Sequence, residues 1–337
     1  MATIHRPHSG SSTVITLALF ALALATPACA RHRAPRANAI ELGIPSDYYS
    51  AADGKCGSDL KWALSQITLE HTVFSYGELW YRYEYTDVVP GTDTQVFDYY
   101  SPVVYHFIGN GAAPAGANKE HVCPQSWWGG GAICAAYTDL FNVMPSETGA
   151  NSAKSNYPLG VVSGTPRYQN PNMKVGTSAR PQYTGNVFEP CDEYKGDFAR
   201  IYFYVATTYA NAPWGNKKSV VGTVAFTQEL YPTIQPWLLD LLMAWNAQDP
   251  VSEWEILRNE RIFAEQHNRN PFIDYPQLAD YIWGTDSQTP FSLASAQVNG
   301  QAHGEVGIGG FFPNDSDTTG QANGSRNLRI SRGHLIF

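Results

Sequence analysis

Charged residues are scarce in this chain, and basic residues are the scarcer sign. Of 337 residues 15% are charged, and 22 Lys and Arg oppose 30 Asp and Glu, which gives a formal net charge of -8. This balance disfavours binding through a broad positive surface, so any polyanion must be held locally. With 43% hydrophobic residues, the composition also excludes a disordered or coiled-coil chain.

The hydrophobic run near the N-terminus is too short to cross a membrane. Residues 13–25 (TVITLALFALALA) fall below the roughly 20 apolar residues that a spanning helix needs, and they lead to Ala28-Cys29-Ala30, an A-x-A-like cleavage site. We therefore predict a secretory signal peptide over residues 1–30, no membrane anchor after its removal, and an extracellular or periplasmic protein. Cleavage removes one arginine and changes the net charge to -9.

Cysteine is also sparse, and four of the five cysteines lie outside the predicted signal peptide. An even number of cysteines in an oxidising compartment favours two disulfides over reactive thiols. Three pairings are open, and the one local option joins Cys123 to Cys134. The other two cysteines are Cys56 and Cys191.

The chain shows one change of composition, near residue 284. Residues 48–283 are rich in aromatic side chains and contain no obvious linker or repeat, whereas the segments VNGQAHGEVGIGG and NDSDTTGQANGS are rich in Gly, Ser, Asn, Gln and Thr. Such segments bury too little apolar area to offset chain entropy. We therefore predict one domain over residues 31–285 and a flexible C-terminal tail over residues 286–337.

Hydrophobic periodicity predicts a mixed α+β fold with long loops. An apolar stripe predicts a helix from about Lys195 to Tyr209, residues 236–245 (PWLLDLLMAW) predict a central helix, and Ser252 with Glu255 forms a capping box for another. Ser58 is the expected cap of an earlier helix. The predicted strands are short and cover residues 73–76, 79–85 and 103–107.

The first motif with chemical potential is the pair Glu120-His121, followed by VCPQSWW. A carboxylate offers a hard oxygen ligand to a divalent cation, and a neighbouring histidine is a base that is largely neutral at pH 7. Metal-assisted hydrolysis requires this combination. Taken alone, the dipeptide is a weak signal, because Glu-His pairs are common and a solvated surface pair is the more frequent explanation.

A second motif, DLFNVMP followed by NSAKSNYPLG, brings neutral oxygen donors together with one cation. Asn142, Asn151 and Asn156 could ligate a metal, and Lys154 could contact a phosphate. The alternative is an Asn-rich turn, which asparagine favours for reasons of its own backbone.

These residues resemble the endonuclease I family of secreted bacterial nucleases, which lies within the ββα-metal (His-metal finger) superfamily. The resemblance covers about residues 48–284 and rests on four blocks in the family's order. They are EHVCPQSWW, DLFNVMP with NSAKSNYPLG, FEPCDEYKGDFARIYFYVATTY, and QDPVSEWEILRNERIFAEQHNRNPFIDYPQLADYIWG. It implies a single-domain ββα-metal nuclease fold, α+β, with several packed helices.

The resemblance also implies roles for individual residues. His121 would be the general base that activates water, and Glu120 and Asn151 would ligate Mg²⁺, with water in the other positions and Mn²⁺ as a substitute. The expected activity is sequence-nonspecific cleavage of DNA, with RNA as a further substrate, to 5′-phosphate and 3′-hydroxyl ends. We expect a monomer whose activity falls at acid pH, because His121 must be neutral.

The sequence departs from the family where a cation would clamp the phosphate. Some members have glutamate where this chain has Asn118, and an arginine after the E-H pair, but no Arg or Lys lies between Gln125 and Asp139. Lys154 stands where members often have arginine, a point charge instead of a bidentate fork. The candidates for phosphate contact are therefore Lys154, Arg200 and Arg269.

For each arginine the alternative is an ion pair, Arg200 with Asp197 and Arg269 with Glu265. Asp139 and Asp274 are interpreted as structural. The Trp127-Trp128 pair is expected to pack in the core, although stacking on a base would suit it chemically.

Two other functions remain open at this level. The first is a secreted domain of the same fold that has lost catalysis and binds nucleic acid or a cell surface. The second is a metal-dependent phosphodiesterase for small or lipid phosphodiesters, which would use the same chemistry in a differently shaped groove.

Overall fold

The computed structural model describes residues 43–215 and 220–299, all of which belong to one compact unit of the chain. The predicted signal peptide and residues 300–337 of the predicted tail lie outside the described residues. Within the described ranges, no helix has both the length and the apolarity needed to cross a membrane.

Nine α-helices and five strands make up the described part of the chain. The helices are α1 (Gly57–Leu69), α2 (Leu79–Thr86), α3 (Thr148–Lys154), α4 (Lys195–Thr208), α5 (Val220–Ala225), α6 (Pro236–Gln248), α7 (Glu253–Gln266), α8 (Pro271–Asp274) and α9 (Leu278–Trp283). The strands are β1 (Ala117–His121), β2 (Val143–Glu147), β3 (Tyr168–Asn170), β4 (Met173–Thr177) and β5 (Asn186–Pro190). Helices with small antiparallel sheets confirm the predicted α+β class.

Strands β1 and β2 form a two-stranded antiparallel sheet that leads directly into helix α3. In their register Glu120 lies opposite Met144 and His121 lies opposite Val143. The last residue of β2, Glu147, caps α3 by accepting hydrogen bonds from the amides of Gly149 and Ala150, both at 2.7 Å. A carboxylate at this position satisfies amides that have no partner within the helix, which fixes the angle between strand and helix.

The second sheet supports the core helix of the domain. It is antiparallel with the order β3-β4-β5, and β5 runs through a short 3-10 turn into α4. Helix α4 is buried along its whole length from Gly196 to Thr208 and packs against α1, α6 and α8. Because α4 has no exposed face, its polar side chains must find partners inside the protein.

Sequence periodicity predicted the long helices correctly and the strands poorly. The structure confirms the helices at α4 and α6 and the Ser252–Glu255 capping box of α7. The expected strand over residues 79–85 is wrong, because this segment forms α2 with the aromatic side chains Trp80 and Tyr83 buried. Ser58 does not cap α1, which begins after Cys56. Neither of the other two expected strands forms.

The packed chain continues beyond residue 285, where we expected the flexible tail to begin. Phe291 is 1% exposed and makes edge contacts with the rings of Tyr275 and Tyr281. Its backbone accepts a hydrogen bond from Gly54 and donates one to the carbonyl of Lys55. Residues 286–299 therefore include an anchor that ties this segment to the start of α1.

The expected disulfides are not present. Cys56, Cys123, Cys134 and Cys191 are all free thiols, including the two cysteines of the local pairing. Burial raises the pKa of Cys134 and Cys191 to about 11 and also raises that of Cys123. These side chains therefore remain protonated at neutral pH and behave as small apolar groups.

Replacement of Phe291 by alanine should lower the free energy of unfolding by about 3–5 kcal/mol, the usual cost of truncating a buried phenylalanine. Urea denaturation measures this change. The control is Gln288→Ala, at an exposed position in the same segment, with an expected change within about 0.5 kcal/mol. Equal stability of the two variants would show that the segment does not contribute to the core.

Candidate active site

Glu120 and His121 are consecutive residues at the end of β1, and both are 6% exposed. The Glu120 carboxylate accepts a hydrogen bond at 2.5 Å from the ammonium of Lys154, which also donates to the backbone carbonyl of His121 at 2.9 Å. Lys154 is the last residue of α3. The ion pair therefore joins the strand and the helix at the position where the sequence predicts a metal site.

Asn151 lies one helical turn before Lys154, so the two side chains share a face of α3. Its amide nitrogen donates to the carbonyl of Lys119 at 3.3 Å. This contact turns the amide toward β1, and within the described ranges the amide oxygen makes no hydrogen bond, so it could act as a ligand. The structure thus brings together Glu120, His121 and Asn151, the three residues that the sequence predicts to act together.

The hydrogen bonding of His121 defines which of its nitrogens is available as a base. Nε2 lies 3.0 Å from the carbonyl oxygen of Tyr137. A carbonyl can only accept, so Nε2 must carry the proton, and in the neutral ring Nδ1 holds the free lone pair. The ring of Tyr137 also stacks on the imidazole, with centroids 5.3 Å apart and planes 17° from parallel.

The environment of His121 keeps the imidazole neutral. Burial lowers its pKa to about 4, an effect that the bond to Tyr137 opposes and the charges of Lys154 and Lys119 reinforce. Between pH 6.5 and about 4 the unfolded chain binds a proton that the folded chain does not, so this residue makes stability fall as the pH falls. At neutral pH the imidazole is therefore uncharged.

Two opposing effects act on the pKa of the Glu120 carboxyl group. Burial raises the pKa of its carboxyl group, and the ion pair with Lys154 opposes this rise. Lys154 contacts Oε1, whereas Oε2 receives no hydrogen bond from the part of the chain that the structure describes. About 8% of this side chain is exposed, so the carboxylate can still be reached from solvent.

This donor set fits a magnesium ion. Mg²⁺ prefers oxygen ligands, keeps several waters and takes few protein groups, and one carboxylate with one amide meets that preference. The described residues contain no group of three His, Cys, Asp or Glu side chains placed to hold a metal. Glu120 and Asn151 are the residues that would hold the ion.

The loop between β1 and β2 is held by structural contacts. Asn142 is fully buried, accepts from the amide of Cys123, and donates to the carbonyls of Cys123 and Ala136. It closes the loop and is not available as a ligand. Trp127 and Trp128 are both fully buried, which confirms core packing over base stacking.

All three predicted phosphate contacts are buried, which contradicts that role for the two arginines. Arg200 is 0% exposed, forms a bidentate pair with Glu255, and also contacts Asp197. The ion pair with Asp197, which the sequence offered as the alternative to phosphate contact, is thus correct, and it lies inside the protein. Because α4 is buried on every side, a position off its apolar stripe still faces protein.

Arg269 is equally inaccessible, since it is 0% exposed and bonds to Glu260 and Asp274 instead of Glu265. Lys154 is also 0% exposed, but its ion pair places it within the site, where it holds Glu120. The interpretation of Asp274 as structural is confirmed by these bonds. Asp139 is confirmed as structural too, because its carboxylate accepts from the hydroxyls of Tyr204 and Tyr209.

Three residues of the site were not predicted from the sequence. Tyr76 and Tyr137 stack beside the imidazole, and the ammonium of Lys119 lies 4.1 Å from the centre of the Tyr76 ring. Tyr76 precedes α2 and comes from a distant part of the sequence, so only the fold reveals it. Lys119 could have been predicted only together with strand β1, because residues two apart in a strand share a face and His121 follows at that spacing.

Comparison with known proteins agrees with this geometry. The family model described as Endonuclease I matches residues 56–277, and the chain belongs to this family. The extracellular ribonuclease of Bacillus amyloliquefaciens is 34% identical over 242 residues, and that of Bacillus subtilis (strain 168) is 32% identical over 254 residues. Each alignment covers 70% of this chain and 78% of the relative.

A third relative, the extracellular deoxyribonuclease of Aeromonas hydrophila, is 30% identical over 172 residues. This alignment covers 46% of this chain and 64% of the relative. The family and the nuclease names of these relatives support a hydrolase that acts on phosphodiester bonds. The names differ in the nucleic acid that they specify.

The structural role of Arg269 can be tested by replacing it with alanine. Removing one partner of a buried ion pair leaves uncompensated charge, and we expect the free energy of unfolding to fall by about 3–5 kcal/mol. Arg167→Ala, at an exposed arginine, provides the control and should change stability by no more than about 0.5 kcal/mol. A stable Arg269→Ala variant with weakened nucleic-acid binding would restore Arg269 as a phosphate contact.

Proposed function

We propose that this protein is a secreted, Mg²⁺-dependent endonuclease that hydrolyses phosphodiester bonds of DNA and RNA without sequence specificity. It leaves 5′-phosphate and 3′-hydroxyl ends, and acts as a monomer in the extracellular or periplasmic space. The observation that carries the proposal is the orientation of His121, whose Nε2 donates to the carbonyl of Tyr137, so that the lone pair of the neutral ring is on Nδ1.

The unit of β1, β2 and α3 supports assignment to the ββα-metal class. The two strands are antiparallel, the helix follows without a linker, and the side chains that we assign as base and ligands come from the strand and the helix. Mn²⁺ is the expected substitute for Mg²⁺, because both accept carboxylate and amide oxygens.

In this mechanism Nδ1 of His121 takes the proton from the attacking water. The hydrogen bond from Nε2 to Tyr137 keeps the ring oriented while the proton moves and stabilises the imidazolium that forms. The low pKa of the free site disfavours that cation, but the negative phosphate of the substrate would favour it. Mg²⁺ held by Glu120 and Asn151 would supply stabilisation of the charge that develops on the phosphate and the leaving oxygen.

Secretion and substrate range rest on the relatives and the sequence. The relatives described above are named as extracellular enzymes, two for RNA and one for DNA. Both substrates are therefore proposed for this chain. A site without a base-reading element contacts the backbone that DNA and RNA share, which agrees with nonspecific cleavage.

The proposal predicts that purified protein nicks and then degrades supercoiled plasmid, and degrades single-stranded RNA, with Mg²⁺ but not with EDTA. His121→Ala should lower the rate by about 10²–10⁴-fold, the usual contribution of a general base. His106→Ala, at an exposed histidine, is the control and should retain the rate. Full activity of His121→Ala would remove this residue from the mechanism.

Metal binding is tested in the same assay with Asn151→Ala. This variant is a cleaner test than one at Glu120, whose loss would also leave buried Lys154 unpaired. We expect a higher Mg²⁺ requirement and partial rescue by excess metal. If the folded wild type cleaves neither substrate with Mg²⁺ or Mn²⁺, the catalytic proposal is wrong. The binding-module and small-phosphodiester functions would then be favoured.

A further inference from the structure

Cations that could contact a phosphate are few around His121. Arg200 and Arg269 lie in buried ion pairs, and Lys154 is committed to Glu120. The loop after β1 contributes no Arg or Lys between Gln125 and Asp139. Beside the Mg²⁺ that Glu120 and Asn151 would hold, any side-chain cation that contacts the substrate phosphate must therefore come from another position.

Lys119 meets this requirement by position. It lies two residues before His121 on β1, so the two side chains project from the same face of the strand. Glu120 lies between them and pairs with Lys154. Lys119 itself is half-buried, and its ammonium contacts no carboxylate within the described ranges, so its positive charge is not neutralised by the protein.

Tyr76 holds the Lys119 ammonium in place. The ammonium donates to the backbone carbonyl of Tyr76 and lies 4.1 Å from the centre of the ring. An ammonium has three hydrogens to donate, and this arrangement uses one of them on a neutral acceptor. The remaining donors are available to an anion, whereas the cation–π contact restricts the side chain's motion.

The same tyrosine is fixed relative to the base. The rings of Tyr76 and His121 are 6.1 Å apart and within 3° of parallel, and Tyr137 contacts both. Tyr137 also supplies the carbonyl that orients the imidazole. Lys119, Tyr76, Tyr137 and His121 therefore form one packed unit, in which the ammonium and the imidazole both contact the ring of Tyr76.

We propose that Lys119 is the phosphate-binding cation of this site, positioned by Tyr76 to contact a non-bridging oxygen of the substrate phosphodiester beside His121. This assignment rests on the proposed function. Tyr76 and Tyr137 are positioning residues, since they act through Lys119 and His121. In this assignment the phosphate is contacted by Lys119, on the strand that carries His121, and not by an arginine from the loop that follows the strand.

Binding measured without turnover tests this assignment independently of catalysis. The probe is a short, fluorescein-labelled single-stranded DNA, and the protein carries His121→Ala in EDTA, so that no cleavage occurs. Lys119→Met is added to this background, and affinity is measured by anisotropy over a range of salt concentrations. Lys55→Met, the same substitution at an exposed lysine, is the matched control.

We expect Lys119→Met to weaken binding by about 10- to 100-fold, the effect of losing one hydrogen bond to a charged group. The slope of log affinity against log salt should become shallower by about 0.7, which corresponds to one phosphate contact on a single strand. Lys119→Arg should retain most of the affinity and the slope, and it controls for loss of folding in the methionine variant.

The assignment is overturned if Lys119→Met binds with the affinity and salt slope of the Lys55→Met control. Its failure and that of the proposed function are distinguishable. If the wild-type protein cleaves plasmid normally and Lys119→Met does not weaken DNA binding, only the assignment of Lys119 is excluded and the proposed function stands. Weakened binding by Lys119→Met in a protein that cleaves nothing would keep Lys119 as a phosphate contact and exclude the catalytic role.

Discussion

The hydrogen bond from Nε2 of His121 to the carbonyl of Tyr137 is the contact on which the chemistry of this site depends. It selects one tautomer, leaves Nδ1 free, and fixes the plane of the ring. The carbonyl is in turn held by the loop between β1 and β2, which Asn142 closes from inside the core. The orientation of His121 is therefore supported by residues of the loop and the core.

The distribution of positive charge is the second constraint. The chain has few basic residues, and the described part of it places Arg200, Arg258 and Arg269 in buried ion pairs. These arginines stabilise the packing of α4 and α7 and are unavailable to a polyanion. Affinity for nucleic acid must then come from the few cations at the site. Binding should weaken as salt rises, but the slope of log affinity against log salt should be small, because few phosphates are neutralised.

The sequence predicted the long helices and named Glu120, His121 and Asn151, which the structure places on β1 and α3, but it did not predict the strand that carries two of these residues. Periodicity predicted α4 and α6 because each buries many apolar side chains. Strand β1 has the sequence Ala-Asn-Lys-Glu-His, which contains poor strand formers, and its conformation depends on pairing with β2. The burial of Arg200 was also beyond periodicity, since a helix buried on all sides has no solvent face to predict.

The family resemblance supplied the roles of Glu120, His121 and Asn151, and the structure added the contacts that make these roles physically coherent. Tyr76 and Tyr137 approach His121 from segments outside β1. Contacts of this kind depend on tertiary packing, which no local pattern encodes. Lys119 was overlooked for a simpler reason, because without a predicted strand its shared face with His121 could not be recognised.

The most direct test of the account is the tautomer and charge of His121, observed by ¹⁵N NMR of the imidazole in the metal-free protein. We expect a protonated Nε2 and an unprotonated Nδ1 at neutral pH, with the ring taking up a second proton near pH 4. A neutral ring protonated on Nδ1 would contradict the assignment of Nδ1 as the general base, and a midpoint at the ordinary value of 6.5 would contradict the lowering of the His121 pKa by burial.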